Sequence, residues 1–135
     1  MRTLALLEAC CAGCGDVFLH PALGDHVYGE ALLCSADGHH VAVANAFDAL
    51  PRRVAALLPD GIDHRFWPVL AALADPIDGQ PLVHGLRCPQ CGGAQLHWHD
   101  GERRGTQPVG NAGFAAAAGL SDVDLQAAID RHLLA

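Results

Sequence analysis

The sequence predicts an α+β fold: a small antiparallel β core built on cysteine knuckle hairpins, with two or three short helices. Three observations predict it. The pattern Cys-x-x-Cys-Gly occurs twice, at Cys11-Ala12-Gly13-Cys14-Gly15 and Cys88-Pro89-Gln90-Cys91-Gly92, each time between strand-like segments. In the interval, Val27–Leu33 and Val41–Phe47 read as strands joined by Ala36-Asp37-Gly38, which carries turn chemistry. Apolar residues then recur at helical spacing in three further segments.

The elements follow in chain order. Leu4–Cys10 leads into the first knuckle and Asp16–His20 leads out; Pro81–Arg87 and Ala94–His99 flank the second. Asp48 is the expected N-cap of a helix with Leu50, Val54, Leu57 and Leu58 on one face, stopped by Pro59-Asp60-Gly61. A second helix is expected over Phe66–Ala74, where Phe66, Leu70 and Leu73 share a face and Asp75-Pro76 ends it; Trp67 reads as a partly buried core aromatic. Residues 100–120 are Gly-rich and aperiodic and read as a loop or linker. Ser121 then caps a C-terminal helix, with Asp124 at its third position and Leu120 and Leu125 placed for a hydrophobic staple. Leu125, Ala128, Ile129, His132 and Leu133 form one face, expected to pack on its own domain. The division is residues 1–99 as the knuckle-bearing domain, with a helical insertion at 48–75, then the linker at 100–120 and the helix at 121–135.

Composition narrows the function classes. At 135 residues and 51% hydrophobic the chain suits one domain with a real core, and with 5% aromatics that core is Leu, Val and Ala. The net charge is −7 and the chain has no Lys, which opposes the phosphate attraction on which nucleic-acid binding rests. The opening "MRTLALLEAC" has an apolar run too short for a secretion signal and interrupted by Glu8, and no run approaches the roughly 20 residues of a membrane helix. A cytoplasmic location without a membrane partner is the expectation. There, six cysteines read as metal ligands rather than disulfides.

The two knuckles supply four such ligands: Cys11, Cys14, Cys88 and Cys91. Two thiolates on a tight turn face one side and occupy two corners of a tetrahedron. Backbone N–H groups in the turn spread their charge, and Gly after the second Cys permits the left-handed backbone that closes it. Two rival sets stay open. Cys34 with His39 or His40 can complete Cys11 and Cys14, or His97 and His99 can complete Cys88 and Cys91, since alternate strand residues face one side. Cys10 and Cys34 otherwise read as core residues.

At these residues the chain resembles the zinc-ribbon class with rubredoxin-type knuckles. Cys11-Ala12-Gly13-Cys14-Gly15-Asp16-Val17-Phe18, followed by Pro21 and Gly24-Asp25, is similar to the opening of a rubredoxin, and Cys88–Gly92 to its closing knuckle. The knuckles alone also resemble bacterial CPxC-type zinc-ribbon domains. Residues 15–87 between the knuckles form a far longer interval than a rubredoxin has, and the aromatics that surround iron there are scarce here.

The reading that results is a non-catalytic zinc-binding protein with a structural four-cysteine site, acting as an interaction or accessory module for another protein. A rubredoxin-like iron electron carrier is the alternative, and a nucleic-acid-binding ribbon stands third. Enzyme signatures are missing: there is no His-x-Glu, Gly-x-Ser-x-Gly, His-Glu-x-x-His or Walker loop.

Overall fold

β1 (Arg2–Cys11) organises the first of two antiparallel sheets in the computed structural model, which describes residues 1–24, 28–98 and 101–134. One edge of β1 pairs with β2 (Val17–Ala22), in register from Ala5↔Ala22 to Cys10↔Val17. Its other edge is shared. Arg2–Ala5 pairs with β7 (Thr106–Val109), and Ala9–Cys11 pairs with β6 (Leu96–Trp98). The second sheet has the order β4–β3–β5, from β3 (Glu30–Ser35), β4 (Val41–Asn45) and β5 (Leu82–His84). Four helices complete the α+β fold: α1 (Ala49–Leu57), α2 (Phe66–Leu73), α3 (Ala115–Ala118) and α4 (Asp122–Leu134).

Strand alternation makes the second sheet the middle layer. Leu33, Ala44 and Leu82 join Leu50 and Val54 of α1, Val69 and Leu70 of α2, and Leu125 and Ile129 of α4 in the main core. Val43, one residue out of phase with Ala44, meets Leu4 and Val109 of the first sheet, with Leu32 and Val41 packed around them. The helices therefore cover one face of the sheet and the first sheet the other. Trp67 is half-buried against the main core and stacks on the His84 ring at 6.1 Å.

The C-terminal helix packs on this core. Leu125 and Ile129 are fully buried, Ala128 nearly so, and Leu133 lies partly buried against them. Ser121 caps it: its Oγ accepts the Asp124 N–H at 3.1 Å. Arg53 of α1 donates to the Leu120 carbonyl and to Asp122, each at 2.9 Å, and Arg65 donates to the His132 carbonyl, so both ends of α4 are tied to the other helices. Asp48 does occupy the N-cap position of α1, but its side chain makes no capping bond there.

Two expectations change. The Gly-rich stretch, expected as a loop, contains β7 and α3. Asp75 holds the start of α3, its carboxylate accepting the Ala115 and Ala116 N–H groups at 2.8 and 3.2 Å. Further, the flanks of the second knuckle do not form a hairpin with each other. β5 belongs to the second sheet, on β3, while β6 belongs to the first, on β1. The expected elements also include Asp25, Val27, His99, Asp100 and Ala135, which lie outside the described residues.

Candidate metal centre

The first knuckle is the β1–β2 turn; the second bridges the two sheets. Their backbones repeat one hydrogen-bond scheme. Gly15 N–H donates to the Cys11 carbonyl at 2.8 Å, and Gly92 N–H to the Cys88 carbonyl at 2.7 Å. Cys11 N–H donates to Asp16 O, and Cys88 N–H to Gly93 O, both at 2.8 Å. Gly15 and Gly92 have φ of 77° and 75°, a left-handed conformation that explains glycine at both positions. The duplication seen in sequence is thus a duplication of geometry.

β6 brings the two knuckles together. It lies beside β1 with Cys11 opposite Leu96, and Ala12 N–H donates to Gln95 O at 2.9 Å. The sulfurs of Cys11, Cys14, Cys88 and Cys91 then all lie within 4.8 Å of one another. Cys11 Sγ is 3.5 Å from Cys91 Sγ, and Cys14 Sγ is 3.7 Å from Cys88 Sγ. A tetrahedral ion with metal–sulfur bonds of about 2.3 Å needs sulfurs about 3.8 Å apart. Both distances are close to that and far beyond the ~2.05 Å of a disulfide. These four side chains can hold a metal ion. Cys11 and Cys88 are buried while Cys14 and Cys91 are exposed, so one ligand of each knuckle faces the protein and one faces solvent.

The protonation chemistry points the same way. The backbone N–H of Cys14 acts most strongly on the Cys11 sulfur and, against desolvation, draws that thiol down to about 7. At Cys14 the Asp16 N–H pulls downward, but desolvation and the three neighbouring sulfurs outweigh it and push the thiol up to about 12. Cys91 is raised too: the Gly93 N–H lowers it, and the Cys11 sulfur and desolvation prevail. One thiolate forms readily; further ones repel it. Several thiolates at this spacing call for a cation among them. Knuckle N–H groups are already turned toward sulfur, as with Gln90 N–H to Cys88 Sγ at 3.4 Å.

The rival ligands have other roles. Cys34 is buried, burial pushes its thiol up, and the backbone of Arg87 bonds its sulfur. His39 Nε2 donates to the Pro89 carbonyl at 3.0 Å, within the second knuckle. His40 Nε2 lies 3.0 Å from Asp78 Oδ2, and His97 stands on β6 opposite Cys10. Among the described residues, none of the four joins the sulfur cluster; His99 is outside them.

Two supporting residues were not legible from spacing. Gly38, φ 81°, sits where a Cβ would lie 2.6 Å from Cys88 O and 2.8 Å from Arg87 O. Gly93 sits where a Cβ would lie 3.2 Å from Cys91 Sγ and 3.4 Å from Cys11 Sγ. The sequence signals a turn at Asp37-Gly38, but not that the turn rests on a knuckle. Asp37 stiffens it, accepting the Ser35 hydroxyl at 2.6 Å and the His39 N–H at 3.1 Å.

No helix among the described residues is long and apolar enough to cross a membrane. Compared with protein-family models, with curated proteins and with solved structures, the chain matches none.

Proposed function

We propose that this chain is a non-catalytic zinc-binding protein, with one zinc held by Cys11, Cys14, Cys88 and Cys91, serving as an interaction or accessory module in the cytoplasm. The observation that carries the reading is the closed set of four sulfurs within 4.8 Å. Four thiolates fill a tetrahedron and leave no position for water or substrate, so the metal's role is to hold the two sheets together. The net charge of −7 favours a protein partner over nucleic acid. Tyr28 and Phe47, 84% and 59% exposed and stacked at 5.7 Å, offer an aromatic contact surface of the kind enriched at interfaces.

An iron–thiolate electron carrier is the second reading, favoured by the paired rubredoxin-type knuckles with N–H groups on sulfur. Metal analysis of protein purified without added metal separates the two. One zinc per chain in a colourless sample is expected. Iron with visible absorption selects the electron carrier. Free, titratable thiols at all four positions, with no uptake of either ion, overturn both.

A further inference from the structure

A cavity of about 280 Å³ lies between β2, the β3–β4 turn and the segment entering the second knuckle. Phe18, Val41 and Leu86 give it apolar walls, the Cys34 thiol lies against it, and Arg87 lines it. No Asp or Glu is part of the lining, in a chain of net charge −7.

Arg87 is set apart from its counterparts. Among the described residues Arg2, Arg53, Arg65 and Arg87 are half-buried. Arg2 pairs with Glu30, Arg53 with Asp122, and Arg65 donates to the His132 carbonyl. Arg87 has no carboxylate or carbonyl partner among the described residues. Asp37, whose charge also acts on Cys34, is already engaged by Ser35 and His39. The positive charge of Arg87 also acts on Cys34, which lines the same cavity. None of the Arg87 side-chain nitrogens is a buried atom without a partner, so the guanidinium stays open to an incoming molecule, and its planar fork suits carboxylate and phosphate oxygens.

We propose that this cavity binds a small organic anion, its carboxylate or phosphate on Arg87 and its apolar body against Phe18, Val41 and Leu86. The volume lies at the small end for ligand sites and suits a molecule of one ring. None of the four cluster cysteines lines this cavity, although Arg87 and Pro89 on either side of Cys88 do, and the proposal does not depend on which metal the cluster holds.

The test is a titration of the full chain, as purified, followed by amide chemical shifts, with benzoate, phenyl phosphate and the neutral benzamide as probes. Benzoate or phenyl phosphate is expected to give saturable shifts at Leu19, Val41 and Leu86, and benzamide to bind about tenfold more weakly or worse, as loss of a charge-assisted bond implies. The tighter of the two anions names the ligand class. Arg87→Gln should weaken the anion about tenfold and leave benzamide unchanged, because the backbone bond to Cys34 does not involve the side chain. Should Arg87→Gln lose its dispersed spectrum, Leu19→Glu decides: it places a carboxylate at the mouth from a position 47% exposed, and it should weaken the anions selectively. Equal binding of benzamide, the absence of saturation with both anions, or an equal loss in the remote Arg103→Gln would overturn the proposal.

Discussion

A Cβ on Gly38 would stand 2.6 Å from the carbonyl oxygen of Cys88, so the tip of the β3–β4 hairpin and the second knuckle meet backbone to backbone. This contact, with the His39–Pro89 bond, fixes where Cys88 and Cys91 point. Gly38→Ala should therefore cost more than the ~1–2 kcal/mol of a left-handed Ala alone. Gly61→Ala is the control: φ is 87° there too, but a Cβ meets open space. Thermal melts should show the larger loss for Gly38→Ala, and a competition with a zinc chelator should show weaker metal retention only for that variant.

Cys88→Ser should abolish metal retention, since it leaves three sulfurs and a weak ligand. Cys34→Ser should keep the metal, because Cys34 is outside the cluster, although burying a hydroxyl there should lower stability by about 1–3 kcal/mol. Metal content per chain, measured after gel filtration, checks both. Retention in Cys88→Ser with loss in Cys34→Ser would move the site upstream.

Stripping the metal should destabilise both sheets together. The cluster links β1, at the start of the chain, to the segment between β5 and β6, and so closes a long loop. A loss of at least ~4 kcal/mol is expected, which for a chain of this size lowers Tm by about 10–15 °C. An unchanged melting curve after verified removal would show that packing alone holds the sheets.

The two helix starts should respond differently. Ser121→Ala removes a capping bond seen at 3.1 Å and should cost about 1 kcal/mol. Asp48→Ala removes no side-chain cap and should stay within about 0.5 kcal/mol. Denaturant titrations resolve the difference.

Truncation after Gly119 should prevent folding. Leu125 and Ile129 are fully buried among α1, α2 and the second sheet, and removing even one such side chain typically costs ~2–5 kcal/mol. A soluble truncated chain with unchanged Tm would show that α4 is not core.

The legible parts of this fold are those whose signal is local. The knuckles follow from Cys-x-x-Cys-Gly, the β3–β4 hairpin from alternation around Asp37-Gly38, and α4 from Ser121 and its apolar stripe. What escaped depends on distant partners. β7 has a single buried residue, Val109, and is a strand because the edge of β1 pairs with it. The split of β5 and β6 between sheets likewise depends on β3 and β1, far away in sequence. For the site, ligand spacing named four sulfurs that converge, while the Gly38 and His39 supports carry no such pattern.

Because the second knuckle straddles the two sheets, the site also has an order of manufacture. Cys11 and Cys14 leave the ribosome before their partners, which follow only after residues 15–87 have been made. At about 5–20 residues per second, that is on the order of 4–15 s in which a naked dithiol awaits its other half. On the proposed reading metal capture is a late step of biogenesis, and chains completed without the ion would carry four unprotected thiols close together.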